Sequence, residues 1–260
     1  MSVPTQDRLL SGRVVVLVGG AGLLGQSFAK AIADHGAVAV VADLDLARAE
    51  AACASLPAGA VVAETVDMTS KESLQALIQR LTKRLDRIDA VVNCAYPRNA
   101  RYGRSLQEVE YADFCENVNL HLGGYFLSSQ QFAAHFSRDG EGHVVNISSI
   151  YGVVPPRFDI YEGTTMTMPV EYAAIKSAIQ HLSLYFMRYY KGTRLRFNCI
   201  SPGGILDGQP TRFTQAYGRH GQSKGMLAAE DVAGTLVFLL SDLSRYVNGQ
   251  NIVVDDGWSA

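Results

Sequence analysis

Three absences narrow the classes of protein to which this chain can belong. The net charge is only −2 over 260 residues, so there is no basic excess for binding nucleic acid or an anionic membrane surface. The four cysteines include no C-x-x-C pair and no metal-ligand spacing, which predicts reduced thiols, no metal site and a cytoplasmic location. No apolar run reaches the roughly 18 residues of a membrane span, and the start of the chain has no apolar signal core. We therefore expect a globular protein that binds neither nucleic acid nor a membrane.

Short apolar runs alternate with longer amphipathic stretches along the whole chain. The apolar runs lack polar alternation, which is typical of parallel strands buried on both faces. The longer stretches have helical spacing, and Thr69 and Glu72 predict a capping box at the start of one of them. We predict an α/β fold, a doubly wound seven-stranded parallel sheet with helices on both faces, in one domain over 1–260. The predicted strands are 13–20, 38–43, 60–67, 88–96, 143–150, 195–204 and 250–256. The predicted helices are 25–37, 46–56, 69–85, 111–137 and 171–190.

Informative residues follow the predicted strands, where ligands of such sheets bind. A glycine-rich turn with Gly19, Gly22 and Gly25 leaves the backbone bare for a pyrophosphate, at the N-terminus of the first helix. Asp43 ends the second strand, where a carboxylate accepts hydrogen bonds from adenosine ribose hydroxyls and repels a 2′-phosphate. These features favour NAD over NADP, although glycines also close tight turns and Asp43 can cap the next helix. Further predicted cofactor contacts are Asp67, Met68, Asn93 and Ala95.

The order and spacing of these pieces resemble the short-chain dehydrogenase/reductase family over essentially the whole chain. The matching pieces are "VGGAGLLG", Asp43, Asp67, "NCAY", "VVNISS", "YAAIK", "RFNCISPGG" and "NGQNIVVDDG". The resemblance implies a Rossmann-type fold, a nicotinamide cofactor and hydride transfer between an alcohol and a ketone. It also implies a homodimer or homotetramer built through the long helices. Val18 and Leu23 depart from the family's pattern, which predicts a slightly reshaped pyrophosphate turn. The remaining predicted cofactor contacts are Leu23, Leu24, Tyr172, Lys176, Pro202, Gly203 and Ile205.

The stretch "VEYAAIKSAIQ" holds the predicted catalytic pair, Tyr172 and Lys176, one helical turn apart. Of the 12 tyrosines, only Tyr172 has a lysine four residues later. A free phenol titrates near 10, and an ammonium within about 4 Å would lower that pKa by about 3 units at an effective dielectric of about 20. The resemblance makes Tyr172 the general acid/base, Lys176 its polariser and Ser149 the hydroxyl donor, with Ser148 as the alternative serine.

The family's active-site asparagine has no clear counterpart. Counting back from Ser149 by the family's spacing reaches His121, whereas Asn119 lies two residues earlier. The resemblance therefore favours His121 in the asparagine's place, holding the water of a proton relay. A packed histidine without a catalytic role is the alternative.

Two segments at the expected rim of the site differ from the usual pattern of the short-chain dehydrogenase/reductase family. The distance from Ser149 to Tyr172 exceeds the family's usual spacing, so an insertion around 153–170 is expected to shape the choice of substrate. The other segment is 96–104, "YPRNARYGR". Arginine suits phosphate or carboxylate recognition, although each of these arginines can instead form surface salt bridges. The arginines concerned are Arg98, Arg101, Arg104 and Arg157, of which Arg98, Arg104 and Arg157 are the predicted substrate contacts.

These segments resemble a branch of dehydrogenases associated with flagellin modification and legionaminic acid biosynthesis. That resemblance implies an anionic sugar substrate, a sugar phosphate or nucleotide-linked sugar, in surface-glycan biosynthesis. One alternative is a reductase of a polyol, steroid or acyl thioester, which an apolar pocket without convergent arginines would favour. The other is a non-catalytic scaffold, against which the intact trio of Ser149, Tyr172 and Lys176 argues.

Overall fold

The computed structural model describes residues 8–260, and the first seven residues of the predicted domain lie outside that range. The strands are Val14–Val18 (β1), Val38–Asp43 (β2), Val61–Thr65 (β3), Ala90–Asn93 (β4), Glu141–Ile147 (β5), Arg194–Pro202 (β6) and Asn251–Val254 (β7). They form a single seven-stranded sheet in the order β3-β2-β1-β4-β5-β6-β7, with every neighbouring pair parallel. The predicted doubly wound sheet is therefore confirmed.

The helices are Leu23–Asp34 (α1), Leu46–Cys53 (α2), Lys71–Leu85 (α3), Tyr111–Asp139 (α4), Val170–Tyr189 (α5), Thr211–Gly218 (α6) and Glu230–Leu240 (α7). They cover both faces of the sheet, as parallel strands with buried apolar side chains on both faces require. On one face, α1, α2 and α7 pack through residues such as Phe28, Ala49 and Leu236. On the other face, α3, α4 and α5 pack through residues such as Leu77 and Phe132. Full burial of one such large side chain stabilises the fold by about 1.5–3 kcal/mol.

Two details of the helices differ from the sequence predictions. Helices α6 and α7 lie in a stretch for which no element was predicted. The predicted capping box of Thr69 and Glu72 is wrong, because Ser70 is the N-cap of α3 and its hydroxyl accepts from the Ser73 N–H at 3.2 Å. The Thr69 hydroxyl instead donates to the Asp67 carboxylate at 2.6 Å, which fixes the turn after β3.

The insertion between Ser149 and Tyr172 folds over the carboxyl ends of the strands. It contains a short 3-10 helix, Phe158–Tyr161, and its backbone accepts a hydrogen bond at Glu162 from Arg212 of α6 at 2.7 Å. The Tyr161 ring lies 5.1 Å from that of Phe213. Helix α6 and the insertion therefore form one cover over this end of the sheet. Among residues 8–260, no helix has the length and apolar content needed to cross a bilayer.

Candidate active site

A cleft with a volume of about 980 Å³ opens at the carboxyl ends of the strands. It lies where the strand order reverses, since β1 pairs with β2 on one side and β4 on the other. Val18, the last residue of β1, is in register with Ala42 of β2 and Asn93 of β4. A switch point of this kind separates the two outgoing chains and leaves a crevice for a ligand.

The glycine-rich turn forms one wall of the cleft. Gly19 has φ +81°, and a Cβ built on it would lie 2.3 Å from the Ala95 Cα. A Cβ on Gly25 would lie 2.5 Å from the Gly20 carbonyl oxygen. Only glycine allows these two approaches, which bring the turn close to the end of β4 and to the start of α1. Among residues 8–260, no side chain caps the N-terminus of α1, so its first N–H groups lie at the cleft without a capping partner.

The expected adenosine end of the cleft is lined by acidic and apolar side chains. One oxygen of Asp43 accepts from the Ala21 N–H at 3.1 Å, which ties the end of β2 to the glycine turn. Asp67 and Met68 follow β3 on the same wall. Arg48 of α2 also lines this end and was not predicted from the sequence. The predicted cofactor contacts that line the cleft are Gly19, Gly22, Leu23, Leu24, Gly25, Asp43, Asp67, Met68, Ala95, Tyr172, Lys176, Pro202, Gly203 and Ile205.

Asn93 is the predicted cofactor contact whose side chain does not reach the cleft. It is fully buried, and its amide donates to the Asn146 oxygen at 2.8 Å. Its own oxygen accepts from the Ser128 hydroxyl at 2.6 Å. The side chain is thus committed to a network that joins β4, β5 and α4 below the strand ends.

The predicted catalytic serine and tyrosine lie together in the cleft. Burial raises the pKa of Tyr172, and a hydrogen bond with the Ser149 hydroxyl acts in the opposite direction. The Ser149 oxygen accepts from the Tyr151 N–H at 3.2 Å, so its own proton is directed to the cleft side, where Tyr172 lies. The alternative, Ser148, donates its proton to the Lys176 carbonyl at 2.8 Å. The geometry therefore favours Ser149 over Ser148 as the hydroxyl that serves the cleft.

Lys176 is buried beside the tyrosine. Its ammonium donates to the Ile147 carbonyl at 2.8 Å and lies 5.5 Å from the centre of the Tyr172 ring. Burial lowers the pKa of Lys176 to about 7. The expected lowering of the Tyr172 pKa by this ammonium does not occur, because burial dominates and raises that pKa. Burial disfavours the charged form of both groups, an effect that spacing along a helix does not reveal.

His121 lies on α4 behind this pair and does not line the cleft. It is 1% exposed, and its ring packs 5.2 Å from the Tyr96 ring and 5.3 Å from the Tyr125 ring. Neither ring nitrogen has a hydrogen-bond partner among residues 8–260. Burial and then the charge of Lys176 lower the pKa of His121 well below its usual range, so it is neutral at pH 7.

The arginines do not converge on the cleft as the sequence suggested. Arg98 alone among those named lines it, with its guanidinium 4.6 Å from the centre of the Tyr96 ring. Arg101 and Arg104 approach the buried carboxylate of Asp113 on α4, at 3.0 and 3.9 Å. Arg157 packs over the ring of Trp258 at 5.3 Å, away from the cleft wall. The structure therefore places Arg104 and Arg157 in structural contacts.

Comparison with known proteins adds family membership to this geometry. Residues 20–259 match the family described as enoyl-(acyl carrier protein) reductase. The chain is 39% identical over 254 residues to post-translational flagellin modification protein A of Campylobacter coli, across 96% of this chain and 99% of that one. The chain belongs to the short-chain dehydrogenase/reductase family. It is thus an oxidoreductase, and the suggested resemblance to a flagellin-modification branch is confirmed.

Two further relatives show the range of the dehydrogenase/reductase family. The 7α-hydroxysteroid dehydrogenase of Bacteroides fragilis is 29% identical over 252 residues, covering 94% of this chain and 93% of its own. A short-chain dehydrogenase from Leptospira borgpetersenii, solved with bound NAD⁺, is 28% identical with a TM-score of 0.85. It covers 100% of this chain and 98% of its own. The fold is therefore shared with dehydrogenases of diverse substrates.

The sequence predictions did not include the aromatic side chains that line the part of the cleft around Tyr172 and away from the glycine turn, which we call the outer cleft. Tyr96, Tyr102, Tyr151 and Tyr161 line it beside Tyr172, and Phe213 and Tyr217 of α6 complete the wall. The insertion and the segment 96–104 are predicted rim segments, and in the structure they line the cleft with Tyr161, Tyr96 and Tyr102. Their tyrosines were the available signal. Helix α6, which brings in Phe213 and Tyr217, was itself not predicted.

Proposed function

We propose that this chain is an NAD(H)-dependent oxidoreductase that interconverts a secondary alcohol and a ketone on a sugar derivative during surface-glycan biosynthesis. The observation that carries the proposal is the meeting of Ser149, Tyr172 and Lys176 in one cleft with a glycine-rich turn and Asp43. Motif residues from four separate parts of the chain meet there, which a scaffold without chemistry does not require.

The cofactor half of the cleft fits NAD. The uncapped N-terminus of α1 and the bare backbone at Gly19 and Gly22 suit a pyrophosphate. Asp43 lines the wall where the adenosine ribose would bind, and its carboxylate suits hydroxyl groups better than a 2′-phosphate. The NAD⁺ named for the Leptospira relative supports the same choice.

In alcohol oxidation, the phenolate form of Tyr172 takes the hydroxyl proton while the carbinol carbon loses a hydride. Because burial raises the Tyr172 pKa, the neutral form that donates a proton is the resting one. When bound, the nicotinamide supplies the acceptor for that hydride, so an alcohol and NAD⁺ give a ketone, NADH and a proton. Ser149 orients the substrate oxygen with its free proton, and in the reverse direction Tyr172 returns the proton to the carbonyl oxygen. Lys176, fixed on the Ile147 carbonyl 5.5 Å from the centre of the Tyr172 ring, is proposed to stabilise the phenolate during turnover, in its protonated form.

His121 is proposed to hold a water in the proton path behind Lys176. A neutral imidazole offers one donor and one acceptor, and neither ring nitrogen has a partner among the described residues. Replacement His121→Asn is expected to keep kcat within a few-fold, whereas His121→Leu should lower it by roughly 10²-fold. Equal activity of the Leu and Asn variants would assign His121 to packing alone.

The sugar substrate is supported by the 39% identity to flagellin modification protein A and by Arg98 in the cleft wall. A second candidate, a less polar ketone such as a steroid or acyl thioester, is favoured by the aromatic and methionine lining. In the described part of the chain, the arginines that line the cleft are Arg48, at the expected adenosine end, and Arg98, so they do not converge as expected for a phosphate. The similarity to 7α-hydroxysteroid dehydrogenase agrees with this second candidate.

A two-part screen tests the proposal. Quenching of NADH fluorescence and thermal shift measure cofactor binding, with NADPH as the matched control. The same screen, followed by turnover, then compares nucleotide-linked sugars and sugar phosphates with a steroid alcohol. The proposal predicts NADH binding and turnover of a sugar derivative. Turnover of the steroid alone would establish the second candidate, and failure to bind either cofactor would refute both.

A further inference from the structure

Four tyrosine hydroxyls in the outer cleft form two hydrogen-bonded pairs. Tyr151, two residues after Ser149, pairs with Tyr161 of the insertion at an oxygen–oxygen distance of 3.1 Å. The Tyr96 hydroxyl donates to that of Tyr102, both from the segment after β4. All four side chains line the same cleft as the catalytic residues. We call them the tyrosine pairs.

Both tyrosine pairs lie close to the reacting position. The Tyr96 ring packs edge-on against the Tyr172 ring, with 5.4 Å between centres. Tyr172 also packs against the buried cluster that contains Tyr151 and Tyr161, so the second pair borders the same position. Burial is the main cause that raises the pKa of each of the four hydroxyls, to about 12 for Tyr161. The hydroxyls therefore stay protonated at neutral pH.

We propose that the tyrosine pairs recognise substrate hydroxyl groups near the reacting carbon, so that the substrate is a polyhydroxylated ring. The inference rests on the proposed function and deepens it, because it assigns recognition to hydroxyls instead of to a charged group.

The count of donors and acceptors supports this assignment. A phenol has one donor and acceptor lone pairs, and one proton of each pair is used within the pair. Each pair therefore keeps one free donor and free lone pairs for a ligand. A sugar or cyclitol hydroxyl both donates and accepts, so it matches this supply. A steroid or acyl chain would leave these groups without partners in a partly buried site, which is costly.

The rest of the outer cleft suits the faces of a ring. Phe213 and Tyr217 of α6 and the methionines Met166 and Met168 line it with apolar surface. Arg98 is the one arginine among those of segment 96–104 that lines the cleft, and its guanidinium is already stacked on Tyr96. Hydroxyl recognition between apolar faces therefore agrees better with this wall than recognition of several negative charges.

The test compares rings that differ in their hydroxyl groups. NAD-linked oxidation is measured for myo-inositol, N-acetylglucosamine and its uridine diphosphate derivative, with cyclohexanol as the ring that has one hydroxyl. The variants are Tyr161→Phe and Tyr102→Phe, which keep the ring and remove one hydroxyl from each pair. Tyr246→Phe is the control, because Tyr246 is 93% exposed and does not line the cleft. Melting temperatures verify that each variant folds.

We expect the wild-type enzyme to favour a polyhydroxylated ring over cyclohexanol in kcat/KM. Each cleft variant should lose about 3- to 10-fold for that ring, mainly through KM, and nothing for cyclohexanol. Tyr246→Phe should match the wild type. Preference for cyclohexanol, equal losses on both kinds of ring, or turnover of none of the hydroxylated rings would overturn the inference.

Failure of the inference and failure of the proposed function give different results. NADH binding is measured on the same samples and does not depend on the tyrosine pairs. An enzyme that binds NADH and oxidises cyclohexanol in preference to the polyols keeps its dehydrogenase function and loses only this inference. An enzyme that does not bind NADH loses the proposed function itself.

Discussion

Lys176 shows how burial decides the state of a single residue. In sequence, its spacing from Tyr172 predicts an ammonium that lowers the tyrosine pKa, whereas in the structure Lys176 is 4% exposed and its own pKa falls to about 7. An amine that titrates near 7 is protonated for only part of the time at neutral pH. The charge beside Tyr172 therefore depends on pH and on whatever negative charge approaches it.

This lowered pKa predicts a change of stability with pH. Between about 7 and the usual lysine value, the unfolded chain holds the Lys176 proton and the folded chain does not. The free energy of unfolding should therefore rise with pH across that window, by up to about 1.4 kcal/mol per pH unit from this group. Lys176→Met replaces the side chain by one of similar shape that does not titrate, so this part of the rise in unfolding free energy with pH should be absent. Urea denaturation between pH 7 and 9.5 measures it, and parallel curves for the two proteins would contradict the assigned burial.

Asp43 carries the predicted choice between NAD and NADP. Asp43→Asn keeps an oxygen to accept from the Ala21 N–H but removes the negative charge. We expect NADH to bind about 10-fold more weakly, because hydrogen bonds to a charged acceptor are stronger, and NADPH to bind more tightly, because repulsion of its phosphate is lost. Fluorescence titration with both cofactors gives the ratio. An unchanged ratio would remove Asp43 from cofactor selection.

Residue roles that depend on local motifs were predictable, and those that depend on tertiary partners were not. The glycine turn, Asp43, Ser149 and Tyr172 occupy one cleft as the motif order suggested. The predicted convergence of the arginines on the cleft is wrong because the carboxylate of Asp113, on α4, attracts Arg101 and Arg104. No pattern in the segment 96–104 itself specifies that competing carboxylate.

At the scale of elements, the glycine turn fixes how closely β1, β4 and α1 approach each other. Gly19 and Gly12 both have positive φ, at 81° and 73°, yet a Cβ on Gly12 meets nothing within 4 Å. Alanine at either position would have to adopt a positive φ, so the difference between the two variants reports mainly the steric clash with Ala95.

We expect Gly19→Ala to destabilise the protein by about 1–3 kcal/mol more than Gly12→Ala, the usual cost of overpacking. It should also weaken NADH binding strongly, while Gly12→Ala leaves that binding unchanged. Denaturant midpoints and NADH titrations on both variants provide the measurement. Equal stability of the two variants would mean that the turn relaxes freely away from β4.

Helices whose apolar residues repeat at helical spacing, and strands that are short apolar runs, were predictable from the sequence. Strands β1, β2 and β4 are apolar almost throughout, and each of the seven strands lies within a few residues of its predicted bounds. Helix α7 escaped prediction because six of its 11 residues are buried, which leaves little polar face to mark a helical stripe. Helix α6 has only eight residues, too few to show a clear period.

At the scale of the whole molecule, an exposed aromatic surface crosses α4 and α5. Phe126, Tyr185 and Tyr189 are 43%, 63% and 71% exposed, on the helices through which a homodimer or homotetramer is predicted. Contiguous apolar surface of this kind usually marks an interface. The prediction of self-association therefore has a specific surface on which to be tested.

Phe126→Asp is expected to reduce the mass measured by light scattering towards that of one chain, because a charge would be buried without a partner. Leu46→Asp, at a position 42% exposed on α2, should leave the mass unchanged. Wild-type protein that runs as a single chain at micromolar concentration would contradict the prediction.

The central claim is that the Tyr172 hydroxyl carries the proton in alcohol–ketone interconversion. The most direct measurement is turnover by Tyr172→Phe, on whichever substrate the wild type oxidises, together with NADH titration of the same sample. The account predicts a fall in kcat of at least about 10²-fold with NADH affinity within about two-fold of wild type, since only the proton carrier is removed. Turnover within a few-fold of wild type would contradict it.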